Sequence, residues 1–361
     1  MKKNKVIIWS TDVIKLMEGK TIGGIAVQMY FWAQVFAEND WKVFSFAKNA
    51  NKTIVRERIE FRPVKNIRKV NLLLGWWYAF KFILTIRPEL LICRGRSRRM
   101  LPIALFSRLF HVKLVFFGAS DSNFKPDKFP TGSKLDRWMY IRSISHIRYF
   151  VTQNRYQHDM LFQHFGKKSL LQYNIWGHTA DNDGEIPPKS DVVWVANLRK
   201  LKRAEWMLDA ARKLPVYHFV LAGGRTDEVS YYNEIQQQSA GLPNVTFLGG
   251  KAFSYVNELI GKSKILLCSS TYEGFPNTFL QAWSKGLPVI STVDPSGIIT
   301  RHHLGEVVTS EKDLKEILQR MLEDNDYYDS LRQSVRTFFT QHHSAQVGYE
   351  NVINYITSKH V

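Results

Sequence analysis

Short apolar runs alternate along the chain with longer stretches whose apolar residues recur at helical spacing. In the first half, 6–9, 41–46, 90–93, 113–117 and 150–152 read as buried strands, because parallel strands covered on both faces are apolar throughout. Between them, 26–38, 66–86, 101–110 and 155–165 read as helices, and Pro88 ends the second of these. Lys134, Arg137, Arg142 and Arg148 fall on a further helix in the 130s and 140s. The second half repeats the rhythm, with strands at 192–196, 216–222, 245–248, 265–268 and 289–291. Helices at 203–213, 231–239, 253–260 and 279–285 separate them, and helices at 311–323, 326–339 and 345–357 follow. Repeated βα alternation in both halves predicts an α/β protein of two Rossmann-like domains. The polar stretch 180–190, with two prolines, is the linker candidate. The expected division is 1–178, 190–340 and a final helix within 341–361 that returns to the first domain.

Charge makes the halves unequal. The chain of 361 residues carries a formal +18. Residues 1–180 hold 31 Lys+Arg against 11 Asp+Glu, a net +20, whereas 181–361 hold 19 against 21, a net −2. An anionic partner for the first half alone is the physical implication: nucleic acid, anionic lipid or a phosphorylated acceptor. Solubility alone is the plainer reading. The two cysteines, Cys93 and Cys268, stand in separate apolar runs with no metal-ligand spacing, as buried thiols in a reducing compartment do. The apolar run after the basic N-terminus is too short for a signal peptide. The greasiest stretch, 71–86, contains Lys81 and falls short of the ~20 residues that span a bilayer. A cytoplasmic protein, with a peripheral place on the inner face of the plasma membrane, is expected. One surface for such contact is Trp76, Trp77, Tyr78 and Phe82 beside Arg68, Lys69 and Lys81, the alternative to burial of that helix on the sheet.

The stretch 265–292, ILLCSSTYEGFPNTFLQAWSKGLPVIST, concentrates the chemistry. It reads as strand, loop, helix and strand, with Asn277 or Thr278 as the helix cap and Gly286 as its stop. Such a loop sets Glu273 and helix N-terminal amides at the carboxyl end of a parallel sheet, where open α/β folds bind ligands and amides favour phosphate. By itself this is also compatible with an ordinary βα loop. After the strand at 192–196, Arg199, Lys200, Lys202 and Arg203 form a second basic turn at a strand end, suited to a diphosphate or simply solvated. Gly23 and Gly24 precede the first long helix, where a glycine pair permits close approach to a phosphate. No Asp-x-Asp pair stands in a convincing metal-binding position.

The string Glu273-Gly274-Phe275-Pro276-Asn277-Thr278, followed by Ala282 and Gly286-Leu287-Pro288-Val289, resembles the signature of the retaining GT-B glycosyltransferases of family four. The resemblance implies a GT-B fold, two Rossmann-like domains facing across a cleft. It implies a nucleotide-diphosphate-sugar donor, UDP-linked for preference, and a glycan or lipid-linked acceptor of surface-polysaccharide assembly. Glu273 matches the family's first acid, which supports charge at the donor sugar. Arg199 and Lys202 are the nearest counterparts of its Arg-to-Lys diphosphate pair, though the gap is one residue short, so Lys200 and Arg203 stay as rivals. Gly274, Phe275, Pro276, Asn277 and Thr278 become donor-binding residues. So do Gly23 and Gly24, which in the family face the donor diphosphate. Gln281 stands where the family has its second, ribose-binding acid. The amide keeps an acceptor oxygen and loses the charge, so activity is expected to survive, with an inactive relative as the rival. The loop at Ser120 and Asp121 is where related enzymes often carry a His near the acceptor, and Gln172-Tyr173-Asn174 is similar to a segment that closes the family's first domain. The family generally needs neither metal nor other cofactor. Two other functions stay open: a nucleic-acid-binding protein, which no recognisable motif supports, and a GT-B nucleotide-sugar epimerase. Oligomeric state is not legible.

Overall fold

The computed structural model describes residues 4–18, 23–64, 72–97, 99–125, 134–177, 189–273 and 275–358. They form two units. One joins the chain through Gly177 to the segment from His342 onward, and the other holds the residues between. Most of the expected linker, 180–188, lies outside the described residues, and Ser190 already belongs to a strand.

The first unit is built on an eight-stranded sheet. In chain order its strands are β1 (Lys5–Ile8), β2 (Lys42–Lys48), β3 (Ile54–Arg56), β4 (Ile59–Val64), β5 (Leu90–Arg94), β6 (Lys113–Phe117), β7 (Tyr149–Thr152) and β8 (Leu170–Leu171). They lie in the order β3-β4-β2-β1-β5-β6-β7-β8. All neighbours pair in parallel except β3 with β4. Helices α1 (Val13–Met17), α2 (Gly24–Glu38), α3 (Leu72–Ile86), α4 (Met100–Leu109), α5 (Lys134–His146) and α6 (Arg155–Phe165) connect or cover the strands. The sequence pattern misses α1, β3 and β4. The first two are short, and in β3 and β4 polar and apolar positions mix because these strands lie at the sheet margin. Arg148 sits in the turn before β7, not on α5, which ends at His146.

The first strand leaves the sheet near its centre. The chain then works outward through β2 and β4 and returns to the other side of β1 at β5. The connection direction therefore reverses between β1 and β5, which opens a crevice at the carboxyl ends of those two strands.

The second unit repeats the plan with a six-stranded, all-parallel sheet. Its strands are β9 (Ser190–Val195), β10 (Phe219–Ala222), β11 (Val245–Gly249), β12 (Ser263–Cys268), β13 (Val289–Ser291) and β14 (Gly305–Val307), in the order β11-β10-β9-β12-β13-β14. Here the reversal lies between β9 and β12. Helices α7 (Glu205–Lys213), α8 (Val229–Ala240), α9 (Phe253–Gly261), α10 (Asn277–Ser284), α11 (Ile298–His302), α12 (Glu311–Glu323) and α13 (Asn325–His342) surround it. The short α11 and β14 are further elements that periodicity does not reveal. Gly305 permits β14: its φ is 141°, and an added Cβ would lie 1.8 Å from the Val289 carbonyl oxygen.

The last helix, α14 (Ala345–Thr357), lies in the first unit and packs on α2. Gly348 lets α14 also lie close against the segment before Gly177, since a Cβ there would meet the Ile175 side chain at 2.3 Å. The buried His343 ring donates from Nδ1 to the Asn174 carbonyl at 2.7 Å. That ties the end of the chain to the 172–174 segment.

Burial also decides the fate of the aromatic face of α3. Phe82 is 7% exposed in the core cluster, Tyr78 stacks on it at 5.6 Å, and Trp76 packs edge-on to Phe106 at 6.2 Å. Only Trp77, 55% exposed, stays outside. The four aromatics do not form one membrane-facing patch, because the helix turns most of them onto the sheet. Arg68 and Lys69 lie outside the described residues. No helix among the described residues is long and apolar enough to cross a membrane.

Candidate functional site

At the β9/β12 reversal two loops are stitched together. The first follows β9, where Lys200–Lys202 make a 3₁₀ turn that ends at Arg203 in the left-handed region, φ 49°. The second runs from Ser269 to Pro276. Ser269 Oγ accepts from the indole of Trp194 at 2.9 Å and donates to the Lys202 carbonyl at 2.8 Å. Arg203 Nε donates to the Ser269 carbonyl at 2.7 Å, and its guanidinium lies 4.2 Å from the Trp206 ring centroid. The amide of Thr271 donates to the Leu201 carbonyl at 2.8 Å. Arg203 is thus a buttress between the loops.

This stitching brings Lys202 and Glu273 into an ion pair between Nζ and Oε1. Both side chains keep about a fifth of their surface, 19% and 20%. The same carboxylate oxygen accepts from Ser270 Oγ at 3.0 Å, and Thr292 Oγ1 holds the Ser270 carbonyl at 2.6 Å. A carboxylate with two donors and a fixed loop keeps its orientation before any ligand arrives. Arg199 stands beside the pair in sequence, exposed at the start of the 3₁₀ turn. Lys200 is exposed, and its amide donates to Glu228 at 2.8 Å.

Helix α10 starts at Asn277, two residues earlier than the sequence suggests. Pro276 occupies the N-cap position with φ −67°, and Asn277 and Thr278 lie in the first turn, not at the cap. The rigid proline ring fixes φ before the helix, so a side-chain cap is dispensable. First-turn amides point back along the axis and carry the positive end of the helix dipole. Phe275 packs within 6.5 Å of the Phe279 ring and 6.1 Å of Trp283, so its ring anchors the loop to α10. Gly274 lies outside the described residues.

Gln281, 4% exposed, follows Asn277 by one helical turn on the same face. Its Nε2 has no hydrogen-bond partner among the described residues. A buried amide nitrogen without an acceptor costs about 1–3 kcal/mol, and a ligand hydroxyl relieves that cost. Sequence reasoning overlooked Ser269, Ser270 and the closeness of Gly223. A Cβ on Gly223 would stand 2.6 Å from the Ala196 carbonyl oxygen, so the β9 and β10 ends could not lie this close. A Gly-Gly pair ending a strand was the available signal.

Other residues named from the sequence fall in the first unit. Gly23 and Gly24 are exposed at the start of α2, with nothing within 4 Å of a Cβ built on Gly23. Ser120 caps a short 3₁₀ turn after β6. Asp121 Oδ1 accepts from Gln157 Nε2 at 3.0 Å and Asn154 Nδ2 at 3.4 Å, so local amides already occupy it. Among the described residues no group of three His, Cys, Asp or Glu side chains is arranged to hold a metal ion.

Residues 189–324, most of the second unit, match the family model of glycosyl transferases group 1. No curated protein matches by sequence. Solved structures match over the whole chain. Sucrose-phosphate synthase from Thermosynechococcus elongatus is similar with a TM-score of 0.71 at 13% identity, over 98% of each chain. The lipopolysaccharide outer core galactosyltransferase WaaB, in its apo form, gives 0.62 at 17% identity over 99% of this chain and 100% of its own. A UDP-N-acetylglucosamine 2-epimerase-like protein from Listeria monocytogenes gives 0.68 at 11% identity, over 99% and 96%. At such identities these likenesses carry the fold, and the fold is GT-B.

Proposed function

We propose, from the premise that residues 189–324 are a glycosyl transferases group 1 domain in a GT-B chain, that this protein transfers a sugar with retention of anomeric configuration. The donor is a nucleotide-diphosphate sugar, UDP-linked for preference, and the acceptor a glycan or lipid-linked hydroxyl of surface-polysaccharide or glycolipid assembly. The observation that carries this reading is the Lys202–Glu273 pair held at the sheet's carboxyl edge beside the start of α10.

In this reading the acceptor oxygen bonds to the anomeric carbon as the bond from that carbon to the diphosphate breaks. The acceptor proton passes to the departing phosphate oxygen, so charge balances. Lys202, Arg199 and the α10 amides take up the negative charge that develops on the leaving group. Glu273 accepts from donor-sugar hydroxyls and supports positive charge at the ring. Gln281 offers its unpartnered amide to the ribose, which is how the chain does without the family's second acid. The metal-free route is part of the proposal.

The test is a screen of UDP-, GDP- and ADP-sugars for thermal stabilisation, with Glu273→Ala alongside wild type. One nucleotide sugar should raise the melting temperature by mass action, less so in the variant. Silence toward every nucleotide and nucleotide sugar would sink the reading. Donor isomerised with no acceptor present would favour an epimerase. Tight, salt-sensitive duplex binding without donor binding would favour a nucleic-acid protein.

A further inference from the structure

The β1/β5 reversal in the first unit holds a cavity of about 210 Å³. Its apolar wall includes Trp9, whose ring meets Phe46 at 4.8 Å, and Tyr78, stacked on Phe82. Its polar lining includes Asp12, Ser97, Arg94 and Arg99. A volume of this size takes one sugar ring or several waters, and a flat aromatic wall with few convergent polar groups is how small-ligand sites are built.

Arg94 is the unusual member. It ends β5, and although a little of its surface meets solvent, the surrounding protein is dense enough that burial pulls its pKa down to about 10. Its Nη2 donates to the neutral oxygens of Asn174 at 2.6 Å and Gln153 at 3.0 Å. No carboxylate pairs with it among the described residues, and its Nε has no hydrogen-bond partner. Asp12 does not neutralise it, being held by Lys15 at 2.7 Å and Lys48 at 3.8 Å. A desolvated guanidinium with only neutral partners is costly unless an anion completes it.

The surroundings keep Arg94 where it is. Asn174, its acceptor, is fixed through its own carbonyl by the buried His343 ring. Arg99 lies against α3 at Gly75, where a Cβ would meet Arg99 Nε at 3.1 Å. A mid-helix glycine costs about 1 kcal/mol against alanine, and here its bare backbone leaves room for a second guanidinium at the same cavity.

We propose that this cavity receives the acceptor and that the acceptor carries a phosphate group bound by Arg94. The fork of Arg94 takes the phosphate, Asp12 accepts from ring hydroxyls, and Trp9 and Tyr78 cover the apolar ring face. This rests on the transfer reading above and names its acceptor class. Two sources share the chemistry: a soluble sugar phosphate, or the phosphate of a lipid-linked carrier.

The experiment measures binding of glucose, glucuronate, glucose 6-phosphate and detergent micelles with decaprenyl phosphate to the full chain, with UDP binding as an internal control. Wild type should bind at least one phosphate probe about 10- to 100-fold more tightly than glucose or glucuronate. A soluble-only response assigns a sugar phosphate, and a micelle-only response assigns the lipid carrier. Arg94→Met should abolish the preference with UDP affinity unchanged. Ser97→Trp, which fills the cavity and leaves Arg94 in place, should do the same and covers the case in which Arg94→Met fails to fold. A protein that binds UDP but shows no phosphate preference overturns the inference, as does a preference that survives either folded variant. A phosphate preference lost in the variants, in a protein that is also silent toward every UDP-, GDP- and ADP-sugar of the screen above, would support the anion site and sink the transfer reading instead.

Discussion

Both units place polar side chains at the carboxyl ends of the two strands where the sheet reverses, β9 and β12 in one and β1 and β5 in the other. In the second unit the key charges are matched, Lys202 against Glu273, with Ser270 adding a donor. In the first, Arg94 is held among the described residues only by the amide oxygens of Asn174 and Gln153. A matched site is organised before its ligand arrives, whereas an unmatched one depends on a ligand to supply the missing charge. The net −2 and +20 of the two halves state the same contrast at long range.

The contrast breaks most sharply at Glu273. Glu273→Ala should lower kcat about 10²- to 10³-fold, read as nucleotide release from the donor, and leave the fold intact. Lys202→Met should cost a similar factor, and the double variant clearly less than the product of the two, because the residues act as a pair. An additive double variant would mean the pair is only structural.

Next in size is the backbone of the second unit. Gly305→Ala forces a side chain into a φ of 141° and onto the Val289 carbonyl. A loss of more than about 3 kcal/mol in denaturant unfolding is expected. An unchanged midpoint would refute the tight β13–β14 pairing.

His343 sharpens the comparison from the side of the first unit. Burial holds its imidazole neutral, with the pKa pulled from 6.5 to about 4. The unfolded chain therefore binds more protons than the native one between those values. The contribution is present in full above pH about 6.5, shrinks as pH falls toward 4, and amounts to about 3 kcal/mol at most. Unfolding midpoints at pH 7.5 and 5 should differ in wild type and converge in His343→Asn.

Gln281→Ala should raise the donor KM about tenfold with little change in stability, since the residue it removes has an unpaired nitrogen. The smallest effect belongs to Trp77. Being exposed, Trp77→Ala should shift stability by less than about 0.5 kcal/mol. Unchanged partition onto anionic vesicles in that variant would remove α3 as a membrane contact.

The residues of the 273–281 motif were legible because they are local. Glu273 to Gln281 fit in one loop and one helix, and strand–loop–helix spacing is enough to set them at a sheet edge. Even there, pairing of Lys202 with Glu273 was not readable, since the residues are 71 apart and only the neighbouring of β9 and β12 joins them. The cap of α10 was misread because asparagine and threonine are the usual caps, and a proline before them fixed the turn instead. The α3 aromatics were ambiguous because periodicity does not say what lies opposite a greasy helix.

Apolar runs and helical periods by themselves determined the alternation of strands and helices, the two-sheet plan and the motif loop, since each depends on neighbours within a few residues. Sheet order, the crevices at the reversals and the Arg94 cavity were decided by tertiary structure alone. Asp12, Gly75, Arg94 and Asn174 are scattered over more than 160 positions, and only strand order and helix packing bring them together. A one-dimensional pattern records which residues prefer to be buried; which charge ends up without a counterpart depends on what folds around it.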